Sequence, residues 1–195
     1  MGLGASWIHL DIEDGKFLSL STWNNPQELK EFLNPQPSTL YPKVEVHLMV
    51  ENPEEVLEKW VAVGAKRIFV HSEAISNAVQ FIDVIKKFKG MEFGIAVKPE
   101  TSAKELLLYS PFINFFQILA VSPGASGQIF HPSVLEKIRF LRTNLPNAKI
   151  EVDGGINKET GKLAKINGAD IIVSASYIWE SKNPKEAYEE LCNIN

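Results

Sequence analysis

Four side chains in this sequence have the types and spacing of a metal centre. His9 and Asp11 stand two residues apart in the run Trp7–Ile12, so on a strand both would project to the same side. His47 holds the equivalent alternate position in Val44–Val50, and Asp153 ends Lys149–Asp153 just before Gly154 and Gly155. Two imidazoles and two carboxylates converging from three strands suit a borderline divalent ion such as Zn, Fe(II), Mn or Co. Each residue taken singly also reads as a core polar group with its own hydrogen-bond partner. All four at strand ends argue for a shared partner, because burying them without one is costly.

A second set of residues has the character of a phosphate site. Ser122-Pro-Gly-Ala-Ser-Gly-Gln128, Asp153-Gly-Gly-Ile-Asn157 and Ser174-Ala-Ser176 are turns of small residues that follow the last three strand-like runs. Glycine lets a backbone approach a ligand closely, and the free N–H groups of turns and helix N-termini bind phosphate. Gly124, Ser126, Gly127, Gly154, Gly155, Ala175 and Ser176 are the candidate phosphate- and substrate-binding residues.

The elements that must position these groups show in the periodicity. Seven β-rich runs recur, at Trp7–Ile12, Val44–Val50, Arg67–His71, Phe93–Val97, Phe115–Val121, Lys149–Asp153 and Asp170–Ser174. Helical patterns at Pro53–Val63, Asn77–Phe88, Pro132–Leu141, Lys158–Ile166 and Pro184–Leu191 separate or follow them. Asn52 and Asn183 stand before proline, as a helix cap before a first-turn proline would. Residues 34–42 read as a proline-bearing loop. Strand–helix alternation predicts a parallel sheet with right-handed crossovers. Several runs carry one apolar face and one face of His, Asp and Glu. A (β/α) barrel explains that division: the apolar faces meet helices and the polar faces turn inward toward a site. Phe112, Phe115 and Phe116 are expected in the core, His131 on the surface, and Cys192 on a helix without a chemical role.

Composition limits the function classes. The chain has 195 residues, 20 Lys and Arg against 24 Asp and Glu, 45% apolar residues and a single cysteine. These are globular proportions for one domain over residues 1–195. No apolar run approaches the roughly 20 residues of a membrane helix. No cluster of Lys and Arg supports nucleic-acid binding, and one cysteine fits a reducing, cytoplasmic setting. Strand starts recur about every 27 residues, so seven βα units are expected where a (β/α)₈ barrel has eight.

The motifs His9-Leu-Asp-Ile-Glu-Asp-Gly-Lys-Phe17, Val46-His-Leu-Met-Val-Glu-Asn-Pro53, His71-Ser-Glu-Ala74, Ser122-Pro-Gly-Ala-Ser-Gly-Gln128 and Glu151-Val-Asp-Gly-Gly-Ile156 resemble those of the ribulose-phosphate 3-epimerase family, in the family's order. The resemblance implies a metal-dependent (β/α)₈ barrel that interconverts ribulose 5-phosphate and xylulose 5-phosphate. It implies His9, Asp11, His47 and Asp153 as metal ligands, and the same Asp11 and Asp153 as the acid/base pair. Met49 matches a methionine that caps the family's metal. Glu13 and Leu119 stand where the family has two further such methionines, and Lys98 where it usually has asparagine.

The family's first strand and helix have no counterpart here, so the chain reads as a barrel with seven of eight βα units. The expected consequence is either closure of a seven-strand barrel or, as the favoured outcome, a homodimer that covers the exposed edges. The alternative to an active epimerase is a relative that keeps metal or phosphosugar binding without turnover.

Overall fold

A computed structural model of the chain describes residues 3–33, 42–122 and 127–194. Residues 34–41 of the expected proline-bearing loop, and the candidate residues Gly124 and Ser126, lie outside the described residues. The chain divides into two compact units, residues 2–94 and 95–195.

The first unit contains β1 (Trp7–Glu13), α1 (Pro26–Leu33), β2 (Lys43–Met49), α2 (Leu57–Ala62), β3 (Arg67–His71) and α3 (Ala78–Ile85), and ends within β4 (Glu92–Val97). β1 pairs with β2 in parallel, from Trp7 opposite Lys43 to Glu13 opposite Met49, and β2 pairs likewise with β3. This register lines up side chains of equal parity in rows: His9, Glu45 and Arg67, then Asp11, His47 and Phe69. The opposite parity is the apolar one. Val44, Val46 and Leu48 are buried, as are Leu57 and Trp60 of α2 and Phe81 and Ile82 of α3. Each such side chain contributes roughly 1.5–3 kcal/mol by leaving water. Gly94 on β4 has a packing reason for its identity: a Cβ there would lie 2.1 Å from the Phe69 ring.

Helix ends follow side-chain chemistry closely in one case and not in another. Asn77 caps α3, its Oδ1 accepting from the N–H groups of Val79 at 3.0 Å and Gln80 at 3.1 Å. Asn52 makes no such bond. The helix expected over Pro53–Val63 is instead split into a 3₁₀ turn at Pro53–Glu55, closed by the Val56 N–H on the Pro53 carbonyl, and then α2.

The second unit holds β5 (Phe115–Leu119), α4 (Val134–Asn144), β6 (Lys149–Asp153), α5 (Lys158–Ile166), β7 (Ile171–Val173), α6 (Ser176–Trp179) and α7 (Pro184–Cys192), with a 3₁₀ stretch at Ala103–Leu108 before β5. β5, β6 and β7 are parallel neighbours. Asn157 and Thr160 form a reciprocal capping box that starts α5. Arg142 of α4 binds the Gly168 carbonyl and Asp170, joining α4 to the turn before β7. Phe116 is fully buried as expected, whereas Phe112 is 59% exposed, because it precedes β5 in a turn rather than sharing the strand's inner face.

Strand order follows the chain, β1 to β7, the topology of a (β/α) barrel. The seven strands fall on the seven expected runs, with ends shifted by at most two residues. Helices α1 and α6 and the stretch Ala103–Leu108 lie outside the helical patterns expected from the sequence.

Candidate metal centre

In the first unit the polar face of β1 and β2 becomes a cluster. Asp11 lies directly opposite His47 in the register. One oxygen, Asp11 Oδ1, is 3.0 Å from His47 Nδ1 and 3.3 Å from His9 Nε2. The ligand atoms of His9, Asp11 and His47 lie within 4.8 Å of one another. Three of the four expected metal ligands are therefore together within this unit.

A shell of partners, of which the sequence pointed to His71 alone, fixes the two imidazoles. His9 Nδ1 donates to Glu45 Oε1 at 2.7 Å, and Arg67 Nη1 holds the other Glu45 oxygen at 2.6 Å. Arg67 also bonds Glu92 and lies 4.3 Å from the Trp7 ring centroid. Burial pushes the Glu45 carboxyl up, but the bond from His9 and the nearby Arg67 charge pull it below the ordinary value, so Glu45 is ionised. On the other side, His47 Nε2 is 2.9 Å from His71 Nε2, and His71 Nδ1 is 3.0 Å from Glu73 Oε2. The signal for Glu73 was present in the motif His71-Ser-Glu-Ala74, but which ring nitrogen it would reach depends on the 3₁₀ turn at Ser72–Ala74.

Counting protons tests whether this cluster fits a cation. With both carboxylates ionised, the chain Asp11–His47–His71–Glu73 contains three contacts that each need one N–H. Two neutral imidazoles carry only two, so either His71 takes a second proton or the Asp11 contact is made without one. Burial pulls the His47 pKa down to about 4, so that ring is neutral at ordinary pH. A cation in place of the proton between His47 Nδ1 and Asp11 balances the chain: His47 Nε2–H then donates to His71, and His71 Nδ1–H to Glu73. The same logic holds at His9, where the proton on Nδ1 leaves the lone pair of Nε2 aimed at a carboxylate. Burial raises the Asp11 carboxyl, yet the adjacent His47 and His9 outweigh it and hold the group well below the usual range. An ionised carboxylate, two oriented imidazoles and carboxylates behind them form a ligand set with its supporting shell in place. His9, Asp11 and His47 can hold a divalent ion.

Two further residues belong to this face. Met49 is buried at the end of β2, opposite Glu13. Glu13 is buried as well, two residues beyond Asp11.

In the second unit Asp153 ends β6 and is buried, followed by Gly154 and Gly155 at φ 101° and 63°. Both glycines are required locally. A Cβ on Gly154 would lie 2.5 Å from Val121, and one on Gly155 would lie 2.6 Å from the Phe130 backbone nitrogen. Gly127, Gly155 and Ser176, three of the candidate phosphate residues, line one cavity of about 770 Å³. Gly154 and Ala175 adjoin two of them in the chain. Glu180, Glu186, Glu189 and Glu190 also border this cavity, and no Lys or Arg is among its lining residues. An anion there would depend on backbone N–H groups and the Ser176 hydroxyl rather than on a cationic side chain. Glu190 is engaged by Lys158 at 2.6 Å and by the Tyr177 hydroxyl.

Comparisons with known proteins agree with this chemistry. The model of the ribulose-phosphate 3-epimerase family matches residues 1–179. A ribulose-phosphate 3-epimerase of Chlamydia muridarum is 38% identical over 191 residues, covering 94% of this chain and 81% of the relative. The cytoplasmic isoform of rice, Oryza sativa subsp. japonica, is 34% identical and covers 97% and 82% respectively. Among solved structures, a 3-hexulose-6-phosphate synthase from Salmonella typhimurium aligns with a TM-score of 0.71 at 12% identity over 97% of each chain, a likeness of fold.

Proposed function

The chain belongs to the ribulose-phosphate 3-epimerase family, and on that premise we propose that it interconverts ribulose 5-phosphate and xylulose 5-phosphate by proton transfer at C3. The observation that carries this reading is the His9–Asp11–His47 cluster with its oriented imidazoles. Inverting a carbon beside a ketone requires removing a proton from one face and returning one to the other, through an enediolate. Two carboxylates can do this, one as base and one as acid, exchanging roles in the reverse direction. We assign these roles to Asp11 and Asp153. Asp11 is held in the ionised form a base needs.

Asp153 also completes the proposed ligand set of His9, Asp11 and His47. The nitrogen and oxygen donors suit Zn, Fe(II), Mn or Co. A divalent ion bound there supplies fixed positive charge beside oxygens that become anionic when C3 loses its proton. Glu45 and the His71–Glu73 pair hold the imidazoles in the tautomers this needs. Met49 closes the apolar side of the site. Gly127, Gly155 and Ser176, with Gly124, Ser126, Gly154 and Ala175, are assigned to the phosphate, which fixes the sugar in register with the carboxylates.

The substrate is thus a small phosphosugar. None of the described helices is long and apolar enough to cross a membrane. The rice relative's name and the single free cysteine support a cytoplasmic setting. Partial exposure of β1, where Ile8 is 40% exposed, supports a homodimer through that strand, which sedimentation would show.

The test is an epimerase assay paired with elemental analysis of the same sample. Turnover of the two pentulose phosphates that disappears with chelator and returns with a divalent ion is expected. Metal-loaded protein with no turnover would overturn the reading.

A further inference from the structure

Glu13 is a buried acid whose placement neither the fold nor the ligand cluster explains. It is 2% exposed, yet its Oε2 has no hydrogen-bond partner among the described residues. A carboxylate excluded from water and left unpaired is expensive, and the usual outcome is a salt bridge, a hydrogen bond or a different residue. Strand alternation places Glu13 on the same side of β1 as His9 and Asp11, opposite Met49. It is also held firmly. Its N–H donates to Thr22 Oγ1 at 2.9 Å, that hydroxyl donates to the Asp11 carbonyl at 2.8 Å, and the Thr22 N–H returns to the Glu13 carbonyl at 3.2 Å. Glu13 is not among the residues whose ligand atoms gather within 4.8 Å at the candidate metal centre. A donor brought by a bound ligand would supply the missing partner, and a carboxylate on the substrate-facing side of the site accepts from hydroxyl groups.

We propose that Glu13 is a substrate-positioning residue, its unpaired Oε2 accepting a hydrogen bond from a hydroxyl of the bound ketose phosphate. The assignment rests on the epimerase reading above. It explains why an acid occupies a position where the family resemblance places methionine: the chain gains a contact to the sugar that a thioether cannot make, at the expense of the free protein's stability. A pre-positioned acceptor of this kind costs little ordering entropy on binding, because Thr22 already clamps its backbone.

The experiment compares wild type, Glu13→Met and Glu13→Gln. The measurements are steady-state KM and kcat with ribulose 5-phosphate, calorimetric binding of a pentitol 5-phosphate that has no carbonyl to enolise, bound metal, and melting temperature. Removing a charged acceptor weakens binding by about ten- to a hundredfold. Glu13→Met is expected to raise KM and the pentitol phosphate Kd by that factor, with metal content unchanged and a melting temperature equal to or above wild type. Glu13→Gln, which keeps an acceptor oxygen, stays within a few-fold of wild type. A Glu13→Met protein that binds pentitol phosphate as wild type does overturns the proposal while leaving the epimerase reading intact. Loss of metal from Glu13→Met also overturns it, by placing the carboxylate on the ion. Wild type that neither turns over ribulose 5-phosphate nor binds the pentitol phosphate overturns both.

Discussion

His47 and His71 face each other through their Nε2 atoms at 2.9 Å, with both rings fully buried, so one proton must serve the two. That relationship links the candidate ligand His47 to Glu73, which does not belong to the ligand set. With the proton on His47 Nε2, Nδ1 is left as a lone pair facing Asp11.

Glu73→Ala is therefore expected to lower divalent-ion affinity several-fold, less than the roughly ten- to hundredfold effect of removing a group that bonds a metal-bound histidine directly. Competition against a chelator of known affinity measures this directly. A residue serving packing alone would lower the melting temperature of the ion-free protein and leave the affinity where it was.

The two carboxylates should behave alike in turnover. Asp11→Asn and Asp153→Asn preserve shape and remove the base or acid, so each is expected to lower kcat by at least about a hundredfold. Exchange of the C3 hydrogen with heavy water separates the steps: a variant that still removes the proton exchanges it without completing inversion. Unchanged turnover in either variant would take that residue out of the acid/base pair.

Acid should destabilise the ion-free protein through His47. In the unfolded chain this ring takes a proton near pH 6.5, whereas in the folded protein burial holds it neutral down to about 4. Between those values the unfolded state binds more protons, so stability is complete above pH 6.5 and declines as pH falls toward 4, by up to about 1.4 kcal/mol per unit. Asp11, held below the ordinary carboxylate range by His47 and His9, adds a further loss at lower pH. Melting curves of chelated protein over this range should show the decline, flattened in His47→Gln. Added divalent ion should shift it to lower pH, since the ion competes with protons for the same ligands.

Two glycines should respond differently to alanine. Gly155 has φ 63° and a Cβ there would meet the Phe130 backbone at 2.6 Å, while Gly127 has φ 83° and a Cβ there would meet none of the described residues within 4 Å. Gly127→Ala is expected to cost about 1–2 kcal/mol, the left-handed backbone penalty alone. Gly155→Ala should cost more, because Phe130 must move as well. Equal melting temperatures for the two variants would mean that Phe130 yields without resistance.

Much of the site was legible because strand periodicity is a local property. Two residues separated by one share a face whatever the rest of the chain does, which is why His9 with Asp11, and His47 with Met49, could be read as pairs. Turn glycines and the Asn183 cap are equally local. The cap expected at Asn52 did not form, since the segment closes as a 3₁₀ turn before α2 begins. What a strand's period cannot supply is its register against a neighbour 36 residues away, and that register alone sets Asp11 opposite His47 and Glu45 between His9 and Arg67. The residue types and their faces thus came from the sequence. The proton count along Asp11–His47–His71–Glu73, and the unpaired carboxylate of Glu13, arose only when packing excluded water and the strands locked their rows together.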